Sequence, residues 1–147
     1  MSELSIAQKL PWTKDVRLVA CDENGLMAVE KSAGVLSHPN RKSDFGRALL
    51  AATYDEEKEA YRVETDDGEL RLVYLLNRLD SATSGLVLLT TNPKVRTEVL
   101  RAFEKKQVRK LYAALVFGFS RKGLPIWKDR LMIKKVQGGL GLRMVAD

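Results

Sequence analysis

The sequence predicts an α+β domain: a mixed, mostly antiparallel sheet with hairpins and a few flanking helices. Short apolar, β-prone runs recur along the chain, separated by turn residues. Two of these separations, Glu23-Asn24-Gly25 and Asp66-Asp67-Gly68, are hairpin signals that join antiparallel neighbours. One stretch, opened by Asn92-Pro93, changes to helical periodicity. Strands and helices do not alternate as a doubly wound sheet requires.

The elements follow in order. Residues 1–16 read as an N-terminal arm and residues 17–147 as one domain, which is what 147 residues accommodate. Residues 17–22 and 26–31 form the first hairpin. Residues 32–42, with Gly34, Pro39 and Asn40, form a loop. Ser43 or Asp44 caps a short helix running to about Tyr54, with Phe45, Leu49 and Ala52 on one side. The acidic stretch after it is an exposed excursion. Residues 61–64 and a strand from near Leu70 form the second hairpin. Residues 72–76 are a wholly apolar buried strand, residues 77–84 a polar interruption, and residues 85–90 a Leu/Val strand. In the helix after Asn92, Val95, Val99 and Phe103 make the apolar stripe, and Lys94, Arg96, Arg101 and Lys105 point to solvent. Residues 110–117 read as a strand, 118–123 as a loop and 130–136 as a further strand.

With 45% apolar residues, the chain can build a core. No apolar run approaches the roughly 20 residues that cross a bilayer. The first 14 residues lack the apolar stretch of a secretory signal. The single Cys21 reads as a buried small hydrophobe, and one His with one Cys all but excludes a dedicated zinc site. A cytoplasmic protein without membrane attachment is expected. The net charge of +6 is uneven: residues 91–135 carry thirteen Lys and Arg against Glu98, Glu104 and Asp129, a local +10. Residues 55–69 carry eight acidic residues against Lys58 and Arg62, a local −6. Such asymmetry suits a face for a polyanion, or a solvated surface charged for solubility.

Asn77-Arg78-Leu79-Asp80-Ser81-Ala82-Thr83-Ser84-Gly85-Leu86 is a polar loop between two apolar strands. Such a frame holds a carboxylate at a fixed point. Arg78 favours the ionised form of Asp80, as a nucleophile or base requires, and Thr83 and Ser84 can hydrogen-bond the loop backbone. The same residues also read as an Asp–Arg pair pinning a turn.

This segment resembles the H-R-L-D-x-x-T-S-G-L signature of RluA-type pseudouridine synthases, with Asn77 in place of His. Residues 30–39 are similar to that family's N-K-P-A-G-x-x-x-H-P segment, with Glu30 for Asn and Ser32 for Pro. Residues 110–118 are similar to its K-x-Y-x-A-L-V-x-G strand. The resemblance spans residues 17–135 and implies isomerisation of a specific uridine to pseudouridine in structured RNA, ribosomal or transfer. The N-glycosidic bond is broken, the uracil rotated, and the base rejoined through carbon. No cofactor and no metal are implied. Asp80 maps onto the essential aspartate and Tyr112 onto the motif tyrosine, which can stack on the target base; Tyr112 also reads as a core aromatic. Arg78 would hold a phosphate or fill the space left by the flipped base. Lys94, Arg101, Lys105, Lys106, Arg109 and Lys110 would attract RNA phosphates. His38 reads as loop scaffolding. The family's later G-R-x-H-Q-I-R segment has no counterpart, so the chain is expected to be the N-terminal portion of the catalytic domain. The alternative role is a catalytically incompetent, RNA-binding fragment.

Overall fold

A computed structural model describes residues 2–65, 68–118, 130–135 and 142–146. The chain divides into two compact units, Met1–Arg109 and Lys110–Asp147, each described on its own.

The first unit opens with α1, Glu3–Lys9, whose N-cap Ser2 accepts the Ser5 N–H at 3.3 Å. Ile6, Ala7 and Leu10 are buried, so the segment expected as an arm contributes to the core. Strands β1 (Val16–Cys21) and β2 (Leu26–Lys31) form the expected first hairpin. Asp22 closes its turn, accepting the N–H groups of Asn24 and Leu26 at 2.9 and 2.8 Å. Gly25 has φ +84, and a Cβ there would lie 2.8 Å from Glu3 Oε2. The positive φ favours glycine here, and the missing Cβ leaves room for the Glu3 carboxylate. The β1–β2 register shifts between Leu18 and Ala20, a bulge in an edge strand.

Four further strands follow: β3 (Thr53–Asp55), β4 (Ala60–Glu64), β5 (Leu70–Leu75) and β6 (Gly85–Thr90). The sheet order is β1-β2-β6-β5-β4-β3, and every pairing is antiparallel. β4 and β5 form the second hairpin, closed by Thr65 N–H to Glu69 O at 2.9 Å. Asp66 and Asp67 lie outside the described residues. Alternation puts Met27, Val29, Tyr61, Val63, Val73, Leu75, Val87 and Leu89 in one core. Ala7, Leu10, Val35, Ala48, Leu49 and Leu50 complete it. Cys21 packs against this core but is only half-buried.

The helix expected from residue 43 to 54 does not form. A 3-10 helix, Lys42–Arg47, gives way to extended backbone at Ala48. Leu36 donates to Arg47 O at 2.7 Å, Thr13 to Leu49 O at 3.1 Å and Ala51 to Pro11 O at 2.9 Å. These tertiary partners replace helical bonds. They also bury the consecutive residues Ala48, Leu49 and Leu50 completely, which a one-sided helix cannot do. The acidic turn between β3 and β4 is exposed, as expected.

Helix α2, Pro93–Glu104, starts as expected, with Asn92 Oδ1 accepting the Lys94 N–H at 2.9 Å. Val95, Val99 and Phe103 are half-buried along its stripe. Arg96 does not point to solvent: its guanidinium lies 5.2 Å from the centre of the Tyr74 ring and 3.9 Å from Glu59. The ring face and the carboxylate draw the cation inward along its aliphatic stem.

In the second unit, residues 110–117 form no strand. Leu111, Tyr112, Leu115, Val116 and Phe117 are all exposed. Their composition carries β-propensity, but a strand exists only where a neighbour completes the ladder. β7 (Leu131–Lys135) matches the expected strand at 130–136 and pairs with β8 (Leu142–Ala146). Residues 119–123 of the expected loop, and Val136, lie outside the described residues. Among the described residues, no helix is long and apolar enough to cross a membrane.

The fully buried Leu50 tests the extended segment. Leu50→Ala is expected to cost about 2–5 kcal/mol of unfolding free energy, measured by urea denaturation. The half-exposed Leu4→Ala should cost under about 0.5 kcal/mol. Equal, small effects would contradict the buried placement.

Candidate active site

The polar loop leaves β5 at Leu76 and re-enters the sheet at Gly85. Asn77 begins it by imitating a strand neighbour. Its Oδ1 accepts the Leu88 N–H at 2.7 Å, and its Nδ2 donates to Leu86 O at 3.4 Å. One amide thereby serves both kinds of β6 backbone group at the position where the family pattern has His. Gly85 closes the loop at φ +138, a conformation side-chain-bearing residues rarely adopt.

Between these ends, three anchors hold the loop. Ser37 Oγ donates to Leu79 O at 2.7 Å and accepts the Leu79 N–H at 3.0 Å. Gly34 N–H donates to Ser81 O at 2.6 Å, and Thr83 N–H to Asp80 O at 2.9 Å. Below them, Lys31 is fully buried. Its ammonium donates to Val35 O at 2.7 Å and to Ser32 O and Ser81 O at 3.3 Å each. Burial lowers the Lys31 pKa, while the Asp80 carboxylate raises it again. A buried cation thus ties the two loops that meet around Asp80 and places positive charge beneath the carboxylate.

Asp80 itself is exposed, with Leu79 half-buried beside it. The turn holds its backbone while its side chain faces solvent. That is the arrangement a reacting carboxylate needs. Arg78 is also exposed, and among the described residues it makes no ion pair with Asp80. Its charge instead bears on the Tyr54 hydroxyl, whose pKa is pushed up to about 12 by burial first and Glu59 second, with Arg78 opposing. The reading of Asp80 and Arg78 as a turn-pinning pair therefore has no bond to rest on.

The other candidates belong to elements other than this loop. Tyr112 belongs to the second unit and is 63% exposed. Lys94, Arg101 and Lys105 are exposed on α2 or at its C-cap; Lys106, at φ +56, and Arg109 continue that surface. Lys110 opens the second unit and is exposed there. A shallow depression of about 430 Å³ on α2 is lined by Pro93, Lys94, Thr97, Glu98 and Arg101, and contains no residue of the Asp80 loop. Among the described residues, no cluster of three His, Cys, Asp or Glu could hold a metal ion.

Two residues of this site were assigned no role from sequence: Lys31 and Ser37. Lys31 had a signal. In Leu26-Met27-Ala28-Val29-Glu30-Lys31, alternation puts the lysine on the same face as Met27 and Val29. Ser37 had none, because its partner lies 42 residues away.

The family model described as RNA pseudouridylate synthase matches residues 25–139. An uncharacterized RNA pseudouridine synthase of Chlorobaculum parvum is 34% identical over 97 residues, covering 66% of this chain and 29% of that protein. The dual-specificity RNA pseudouridine synthase RluA of Vibrio parahaemolyticus is 29% identical over 108 residues, covering 74% and 36%. An uncharacterized RNA pseudouridine synthase of Zymomonas mobilis is 36% identical over 89 residues, covering 60% and 40%. The matched part is thus 29–40% of the length of these relatives. No solved structure matches the chain.

Two variants probe the site's framework. Lys31→Met removes three donor contacts and is expected to lower unfolding stability by about 1–3 kcal/mol in urea; unchanged stability would show that the ammonium is not needed there. The second concerns pH. The Tyr54 pKa is raised from 10.0 to about 12, so the native state keeps a proton that the unfolded chain loses. Its stabilising contribution is complete below about pH 10 and is lost as pH climbs towards 12. Tyr54→Phe should flatten the fall in stability across that window, measured by urea midpoints; an unaltered slope would refute the shift.

Proposed function

The chain belongs to the RNA pseudouridylate synthase family, and from that membership we propose that it isomerises a specific uridine in structured RNA, ribosomal or transfer, through Asp80. The carrying observation is the presentation of Asp80: an exposed carboxylate on a loop fastened by Ser37, Gly34 and the buried Lys31. Two routes are open to such a group, attack on the sugar or removal of a ribose proton. Both need an accessible, ionised carboxylate carried on a restrained backbone.

The target uridine must leave its stack to reach Asp80, at a cost of a few kcal/mol offset by contacts to the flipped base and its flanks. Arg78, exposed two positions before Asp80, is suited to a flanking phosphate or to the vacated space. Tyr112 is the stacking partner suggested by the family motif. Lys94, Arg101, Lys105, Lys106, Arg109 and Lys110 supply sequence-independent attraction to phosphates. The scheme invokes no cofactor and no metal.

The test is release of tritium from RNA labelled at uridine C5, since rejoining the base through that carbon displaces its hydrogen. Turnover is expected to fall by roughly a hundred- to ten-thousand-fold with Asp80→Asn. RNA binding should persist in that variant and weaken steeply with salt. Undiminished release with Asp80→Asn would sink the assignment. Salt-dependent binding by the unaltered chain with no release would identify an RNA-binding piece instead.

A further inference from the structure

Three rings run outward from the core beside the Asp80 loop. Tyr61 is fully buried, and its hydroxyl donates to Ser37 O at 2.6 Å. Tyr54 meets it edge-on, with centroids 5.1 Å apart and planes at 71°. His38 then stacks on Tyr54 at 4.7 Å and 13°. Tyr54 and His38 are both half-buried, so the ladder is anchored inside and reaches solvent. A nearly parallel pair braced at its inner end needs no further ordering before another ring joins it.

Ser37 fixes where this ladder stands. It immediately precedes His38, and its Oγ is bonded to the N–H and C=O of Leu79, the residue between Arg78 and Asp80. The charge of Arg78 bears on the Tyr54 hydroxyl, so the guanidinium and the rings share one neighbourhood. Arg41, Lys42 and Arg47 add exposed positive charge on the segment that follows His38, against Asp44 alone. Loop scaffolding does not require this arrangement, because Ser37 and Lys31 already fasten the loop. An aromatic shelf flanked by cations is, however, the chemistry that receives an unpaired nucleobase: the base stacks and its phosphates meet the cations.

We propose that His38, braced by Tyr54, is the stacking shelf for the nucleobase next to the target uridine. The proposal rests on the RNA-modifying reading above and adds a second base site to it. The uridine goes to Asp80, and its neighbour is caught on His38. Stacking tolerates any base but rewards a larger π-surface, so a purine neighbour is favoured over a pyrimidine.

The test uses short single-stranded RNAs with 2-aminopurine on the 5′ or the 3′ side of one uridine, and a control with the probe several nucleotides away. Bound to the unaltered chain, one flanking probe is quenched and the distant probe is not. His38→Ala abolishes the quench and weakens binding about tenfold. His38→Phe, which keeps a ring, restores both. Thermal melts of the variants confirm that they fold, and Phe rescue excludes a loss caused by misfolding alone. Equal quenching with His38→Ala, or RNA binding that quenches neither flank, overturns the shelf and leaves the Asp80 reading intact. Absence of any RNA binding by the unaltered chain overturns both.

Discussion

A buried ammonium is the constraint around which this site is organised. Lys31 sits at the inward end of β2, opposite Gly85 in β6 and Val16 in β1. Moving a charge into a core is costly unless strong acceptors surround it. Here the carbonyls of Ser32, Val35 and Ser81 converge on it. The first two belong to the loop after β2, and the third to the loop after β5. The cation can be satisfied only when these loops come together, so its burial and the shape around Asp80 are one event. A one-residue slip of β2 would turn Lys31 to the opposite face and release both.

The same logic explains how three distant segments cooperate. Ser37 grips Leu79 from one side, Tyr61 grips Ser37 from the core, and Tyr61 is itself held at register opposite Val73. The sheet supplies rigid coordinates, and the loops copy them outward through single hydrogen bonds. Exposure of Asp80 is compatible with precision because its backbone is restrained although its carboxylate is not.

Both hairpins, the helix start at Asn92 and the loop around Asp80 were legible in the sequence, since each depends on neighbours within a few residues. What was not legible depended on partners far along the chain. Ala48, Leu49 and Leu50 are apolar in a row, and only the backbone of residues 11–13 and 36 decides that they run extended. Residues 110–117 have a strand's composition without a ladder. Arg96 has a solvent-facing pattern, yet Tyr74 and Glu59 reclaim it. Within the site, Asp80 and Arg78 were apparent from a motif, whereas Ser37 became visible only when residues 42 positions apart met.

The bulge between Leu18 and Ala20 has a consequence beyond local geometry. β1 is one border of the six-stranded sheet, and a straight border would offer a row of free amides and carbonyls to another chain. The extra residue breaks the spacing of that row and bends it away. The opposite border, β3, is three residues long and ends on the charged Asp55. Each margin of the six-stranded sheet is therefore a poor template for a strand of another chain.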